Sequence, residues 1–290
     1  MVQNKSSVWA PNIFAGKVVF CTGGAGTICS VQVAAMVELG ANAAILGRRK
    51  EVTEAKAAEL QALRPGSKVI GISADVRDYK AMEAAVERTV KELGRLDYVI
   101  AGAAGNFLAT IDQLSANAFK AVMDIDVLGS YNTVKAAIPH LKASKGKAIF
   151  ISATMHYSGS VSQAHPSAAK AAIDALSQVL AVEMGPFGIT SNVIAPGPIA
   201  GTEGMARLAN AEQTKRVMTQ TPLQRFGEPY EIADATIFLF SDAGNFVTGD
   251  IIVVDGGHWH RQSVLGGDYP ANVLSGKATD GVKGMKSSKL

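Results

Sequence analysis

Thr22-Gly23-Gly24-Ala25-Gly26-Thr27-Ile28 stands between a short apolar run, Val18-Val19-Phe20-Cys21, and a helix-compatible stretch from Val31 to Leu39. Small residues in this order build a phosphate cradle, because the backbone can approach a pyrophosphate whose charge the helix's free N–H groups and dipole end stabilise. An ordinary tight turn would use the same residues, so the loop alone is a weak sign. Gly47-Arg48-Arg49 follows a second apolar run, where NAD would need a carboxylate for its ribose 2′-hydroxyl. Arg48 instead suits a 2′-phosphate through charge-assisted, bidentate bonds and points to NADP; two solvated arginines are the alternative. Asp75, in Asp75-Val76-Arg77, offers an acceptor for an adenine amino group, or else starts a helix. Ala101-Gly102-Ala103-Ala104-Gly105 is small enough for a cofactor to lie against it, although close helix packing would demand the same residues.

Only a sheet can bring these groups together. Apolar runs recur at Val18 to Cys21, Ala43 to Leu46, Val69 to Ile72, Tyr98 to Ala101, Ala148 to Ile151, Ser191 to Ala195 and Ile251 to Val254. Helix-forming stretches lie between them at Glu51 to Leu63, Lys80 to Leu93, Phe119 to Leu141 and Ala168 to Met184. Near-continuous apolar strands alternating with helices predict an α/β fold: a single Rossmann-type, doubly wound parallel sheet of about seven strands, covered on both faces. Ligands then collect at the carboxyl ends of the strands, where every group named above falls. Gly94 and Gly185-Pro186-Phe187-Gly188 end helices.

Composition narrows the class. The chain has 290 residues, 48% hydrophobic and 18% charged, enough for a large core in one enzyme-sized domain. A net charge of +3, scattered among 25 acidic residues without a basic stripe, argues against nucleic acid. Cys21 and Cys29 are poorly placed for a disulfide and read as thiols in a reducing compartment. Met1 to Phe14 has no signal-type apolar run, no segment is long enough to span a bilayer, and no metal cluster stands out among five histidines and two cysteines. The reading divides the chain into an N-terminal extension (1–13), an NADP-binding domain that includes the substrate site (14–258) and a C-terminal extension with little core of its own (259–290).

Over residues 14–258 the chain resembles the short-chain dehydrogenase/reductase family. The likeness rests on Thr22-Gly23-Gly24, Asp75-Val76, the Ala101 to Ala104 turn, Lys170, Asn192 with Ala195-Pro196-Gly197, Val247-Thr248-Gly249 and Asp255-Gly256-Gly257. It implies a cofactor site formed by Thr22, Gly23, Gly24, Thr27, Ile28, Arg48, Asp75, Val76 and Ala103. Lys170 would bond the nicotinamide ribose, and Pro196, Gly197, Ile199 and Thr202 would wrap the nicotinamide side. It also implies a homodimer or homotetramer assembled through the long helices. The departures carry as much information. The family's active-site Tyr position holds Pro166, its Ser position Ala153 and its Asn position Asp126, while Thr27 and Cys29 replace loop glycines. Proline cannot donate a proton, so ordinary ketone reduction through an alkoxide is disfavoured.

One branch of the family resembles this pattern closely, the peroxisomal 2,4-dienoyl-CoA reductases. The matching segments are Ala103 to Phe107, Leu114 to Lys120, Met123 to Asp126, Pro196 to Ile199, Gly201 to Gly204 and the tyrosine-less His165 to Lys170. The terminal Ser288-Lys289-Leu290 forms a peroxisomal address read by the import receptor, which implies the matrix. In a 2,4-dienoyl thioester, hydride from NADPH would add at the δ-carbon and push electrons onto the thioester oxygen. The extended enolate needs donors at oxygen and a proton delivered to carbon, so an alkoxide-facing Tyr is dispensable. Asp126 and Lys170 are expected to hold the water that supplies this proton, with Asp126 as the acid/base member; a buried structural acid is the competing account. The expected product is an enoyl-CoA, trans-3-enoyl-CoA by preference, with a double bond at carbon 2 as the alternative that the sequence leaves open.

Substrate contacts implied by the same branch are Arg77 and Arg207 for CoA anions, Phe107 for the acyl chain, and Asn106, Ser115, Ala116 and Asn117. Each has a bland alternative, a solvated arginine, a core Phe or a Ser helix cap. His156, Tyr157 and His165 lie nearby without a readable direction. The alternative functions are another NADPH-dependent acyl-CoA or ketone reductase, and a non-catalytic NADP-binding scaffold.

Overall fold

The computed structural model describes residues 8–202 and 211–261, with side chains from 215 onward in the second stretch. Arg207, the Glu203-Gly204 pair and the Ser288-Lys289-Leu290 terminus lie outside the described residues. Seven strands form one sheet: β1 Val18–Thr22, β2 Asn42–Gly47, β3 Val69–Ser73, β4 Tyr98–Ala101, β5 Lys147–Ile151, β6 Thr190–Pro196 and β7 Ile251–Val254. Their order is β3-β2-β1-β4-β5-β6-β7, all neighbours parallel. The chain reverses direction across the sheet between β1 and β4, and a crevice opens beyond their carboxyl ends.

Residues of β1 and β4 are wholly buried, as expected for strands with helices on both faces. One face packs on α1 (Thr27–Glu38) and α8 (Pro229–Phe240), around Val33, Met36, Ile45, Ile232 and Phe240. The other packs on α3 (Tyr79–Leu93), α5 (Gly129–Ser144) and α6 (Ala164–Met184), around Phe20, Met82, Leu141, Phe150 and Ile173. The remaining helices are α2 (Lys50–Gln61), α4 (Ala116–Met123), α7 (Ala211–Gln220) and the short α9 (His258–Arg261).

Three details depart from the expected elements. The helix predicted over 119–141 is two helices, α4 and α5, joined by a π-turn at Asp124–Leu128. Helix α6 begins at Ala164 rather than Ala168, and so contains Pro166 in its first turn, where a missing N–H costs no helical bond. Helix α8, like α7 and α9, falls outside the helical stretches named from the sequence. Pro229 opens it, and the side chains and backbones of Glu228 and Glu231 form a reciprocal capping box. Described residues at each end of the chain touch the body of the fold. Trp9 Nε1 donates to Asp234 at 2.7 Å, and Trp259 packs edge-on against Tyr157.

Candidate active site

Along the carboxyl ends of the strands runs a cleft of about 1090 Å³. One end is the glycine loop. Gly23 adopts φ 68°, and a Cβ there would stand 2.8 Å from the Gly102 carbonyl, so only glycine fits between the β1 and β4 ends. Thr22 Oγ1 ties those ends together by accepting from the N–H groups of Gly102 (3.2 Å) and Ala103 (3.4 Å). Helix α1 starts at the cleft with Gly26 as its N-cap and no side chain on its first-turn N–H groups, so these donors remain available to an anion. That uncapped terminus, together with Arg48 on the cleft wall, fits the phosphates of a dinucleotide. Thr27, in place of glycine, sends its hydroxyl to the Gly201 carbonyl at 3.4 Å and so links the loop to the segment after β6. Cys29 packs against Gly102, with Sγ 3.9 Å from its carbonyl oxygen, and both cysteines are free.

Midway along the cleft Lys170 faces inward from α6. Its Nζ donates to the Ile151 carbonyl at 3.0 Å and lies 3.2 Å from Asp126 Oδ2. Asp126 is wholly buried behind it, on the π-turn, a device that recurs at functional sites because it re-aims a helical side chain. Its Oδ1 accepts from the Gly105 N–H at 2.7 Å. Oδ2 faces Lys170 out of hydrogen-bonding alignment and has no hydrogen-bond partner, which leaves one acceptor position of the carboxylate open. Ser152 also lines the cleft, and its buried hydroxyl is unpartnered. Ser152 stands one residue before Ala153, which occupies the family's Ser position, and only the register of the β5 end shows that it is Ser152 that lines the cleft.

Pro166 is buried and its neighbour His165 is sealed, with its ring stacked on Phe107 at 4.1 Å between centroids. Burial pushes the His165 imidazole pKa down, against smaller opposing effects of Phe107 and Asp126, which favours the neutral ring. His156 Nε2 pairs with Asp174 Oδ2 at 2.8 Å, away from the cleft lining.

Of the residues expected to bind cofactor or substrate, the cleft is lined by Gly23, Thr27, Ile28, Arg48, Asn106, Phe107, Lys170 and Thr202. Thr22 and Gly24 support the loop from beneath, and a Cβ on Gly24 would overlap Ile45. Ala103 closes the β4 turn. Gly197 presses on Asp255, Pro196 ends β6, and Ile199 is buried beside Gly227, so these three shape the far wall rather than line it. Asp75 is not the helix start, a role Asp78 takes by accepting from the Ala81 N–H. The Asp75 carboxylate instead holds the forked Arg77 guanidinium, whose Nη2 lies 2.6 Å away, and this pairing keeps it below the usual carboxylate range. Val76 is buried, and its carbonyl accepts from Asn132 Nδ2 at 2.9 Å. Ser115 caps α4 by accepting from the Ala118 N–H, with Ala116 and Asn117 in the first exposed turn. The cleft adds residues that no motif announced, among them Val52, Ala121 and Val122. Among the described residues no cluster of His, Cys, Asp and Glu could hold a metal, and no helix is long and apolar enough to cross a membrane.

A cleft over the β1 glycine loop, with Lys170 on α6 and Asp126 on the π-turn behind it, suits a nicotinamide-dependent reductase, and the chain belongs to the short-chain dehydrogenase/reductase family. The family model described as "Enoyl-(Acyl carrier protein) reductase" matches residues 24–258. Peroxisomal 2,4-dienoyl-CoA reductase [(3E)-enoyl-CoA-producing] of Saccharomyces cerevisiae is 51% identical over 92% of each chain. The protein of that name from Arabidopsis thaliana is 41% identical over 87% of this chain and 88% of its own. Among solved structures, a short-chain dehydrogenase from Bacillus anthracis superposes with a TM-score of 0.76 at 33% identity, covering 84% of this chain and 96% of its own. Levodione reductase gives 0.81 at 26% identity, over 85% and 99%.

Proposed function

We propose that this protein is a peroxisomal 2,4-dienoyl-CoA reductase that uses NADPH to make (3E)-enoyl-CoA. The observation that carries the reading is the Lys170–Asp126 pair on a cleft whose tyrosine position is occupied by a buried proline, a site equipped to handle a proton but not to protonate an alkoxide through tyrosine. Relatives across fungi and plants that cover nearly the whole chain carry the same name.

A nicotinamide dinucleotide held in the cleft would supply the hydride that the δ-carbon of the dienoyl thioester accepts. Arg48 would recognise the 2′-phosphate that distinguishes NADPH, and the first turn of α1 would hold the pyrophosphate. Negative charge then spreads from the dienoyl carbons to the thioester oxygen, where the Ser152 hydroxyl and a water held by Lys170 are the available donors. Protonation of the extended enolate at the α-carbon leaves the double bond at the β,γ position and gives the 3-enoyl product. The water that delivers this proton is held on the cleft side of Lys170 Nζ, whose ammonium the Asp126 carboxylate fixes from behind at 3.2 Å. Asp126 is closed off from the cleft, so it acts through the lysine and that water rather than by touching substrate. Arg77 and Arg207 take the CoA anions, Phe107 the proximal acyl chain, and Ser288-Lys289-Leu290 the import receptor. The protein assembles as a homodimer or homotetramer.

The test is direct. Adding a 2,4-dienoyl-CoA to purified protein and NADPH should consume NADPH absorbance, with 3-enoyl-CoA as the product by mass and retention time. Turnover of 3-oxoacyl-CoA alone would move the assignment to a ketone reductase, and cofactor binding without any turnover would move it to a scaffold.

A further inference from the structure

Four large apolar side chains stand exposed beside the cleft mouth: Phe107 (38%), Leu108 (52%), Ile111 (81%) and Val161 (88%). They lie on two stretches far apart in sequence that the fold brings side by side, with Ala109 bridged in parallel to Gln163. The bridge is built rather than incidental. The Ala109 N–H donates to the Ser162 carbonyl at 3.2 Å, Asn106 Nδ2 donates to Gln163 Oε1 at 2.9 Å, and Gln163 Nε2 donates to the Phe107 carbonyl at 3.3 Å. Gln163 is buried, and Ser162 takes the left-handed φ of 62° that this close approach requires. A polar clasp therefore holds an apolar lip in water, an arrangement that marks a binding surface. The lip is continuous with the reaction site, because Asn106 and Phe107 already line the cleft beside Lys170.

We infer that Leu108, Ile111 and Val161 seat the distal carbons of the fatty acyl chain and set the enzyme's chain-length preference. The inference rests on the acyl-CoA reading given above. Its occupant is a saturated hydrocarbon tail: the lip has no charged member, and a tail leaving the Phe107 side of the cleft meets these side chains first. Each methylene fully seated there strengthens binding about fourfold.

Two measurements on the full chain test this. Calorimetric titration of the NADP-loaded protein with hexanoyl-CoA and decanoyl-CoA needs no turnover, and wild type should bind the longer ligand at least about tenfold more tightly. The double variant Ile111→Ser/Val161→Ser should shrink that ratio to about twofold by weakening decanoyl-CoA binding alone. Rates with 2,4-hexadienoyl-CoA and 2,4-decadienoyl-CoA should follow the same pattern in kcat/KM. Equal weakening of both lengths, an unchanged ratio in the variant, or no length dependence in wild type would overturn the assignment. Dissociation of the variant into smaller oligomers by light scattering, with the ratio intact, would make the patch a contact between copies instead. Failure of the acyl-CoA reductase reading looks different: neither dienoyl-CoA is reduced, whatever the binding ratio.

Discussion

Replacing Asp126 separates its two jobs. The carboxylate accepts the Gly105 N–H at 2.7 Å and stands 3.2 Å from Lys170 Nζ, with both side chains less than a tenth exposed. At that separation and an effective dielectric of about 20, the gross attraction is about 5 kcal/mol. Desolvation offsets much of it in the intact pair, but removing one partner strands the other, at a cost of about 3–5 kcal/mol. Asp126→Ala should therefore lose stability on that scale, since Lys170 keeps only the Ile151 carbonyl and the Gly105 N–H keeps nothing. Asp126→Asn retains an acceptor for Gly105 and should lose only about 1–2 kcal/mol. It nonetheless removes the charge that holds the ammonium and the proton-delivering water. Its kcat with a 2,4-dienoyl-CoA should fall about a hundredfold or more, the scale of lost acid–base catalysis, while NADPH affinity by fluorescence stays near wild type. Urea unfolding and NADPH consumption on the two variants give both numbers. A kcat for Asp126→Asn within about threefold of wild type, at unchanged NADPH affinity, would refute the catalytic account and leave a structural acid.

Three further outcomes are expected. Arg48→Ala should weaken NADPH about 10–100-fold, the loss of a charge-assisted fork, with little change for NADH, as read by the two Kd values. The Tyr157 hydroxyl, pushed up to about 12 mainly by burial, with Asp174 and Asp255 adding to the shift, is favoured neutral in the fold. Its contribution to stability is complete below the ordinary tyrosine pKa near 10 and fades as pH rises through about 12, so Tyr157→Phe should flatten the alkaline loss of stability in that window. Restoring the family's tyrosine as Pro166→Tyr should overpack a sealed position, lower stability by about 1–3 kcal/mol and leave 2,4-dienoyl-CoA turnover no higher than in wild type, by thermal melt and NADPH consumption.

The sheet was readable because its five inner strands are buried on both faces and its two edge strands, β3 and β7, keep the same apolar composition, so each of the seven apolar runs became a strand to within a residue or two at its ends. Helix α8 escaped because Ile232, Ala233, Ile237, Phe238, Leu239 and Phe240 make a run too uniformly apolar to show helical periodicity. Its usable signal was local: Pro229 at the first helical position, between the two capping glutamates. At the site, residues fixed by backbone approach, such as Gly23, were legible from type and spacing. Residues whose role depends on direction were not. Ser152 and Ala153 differ only in which way the end of β5 turns, and Asp75 gave no sign that Arg77, two residues on, would fold back onto it. The interruption at Asp124–Leu128 has no glycine or proline to announce it. It places a carboxylate under Lys170 and Gly105, contacts from distant parts of the chain that no local pattern encodes.

The π-turn also bears on how such a site arises and is lost. One residue of an α-helix corresponds to about 100° of rotation, and a π-turn amounts to a single residue inserted into that spiral. Deleting one residue between Asp124 and Leu128 would restore a continuous helix from Ala116 to Ser144 at almost no cost to the backbone ladder. It would also turn Ile125 or Val127 toward Lys170 and carry the acid out of the core. On the role proposed for Asp126, a change in chain length with no change in residue type at the reacting centre would then separate a working reductase from a cofactor-binding relative, so the register of this turn bears on activity as much as the aspartate itself.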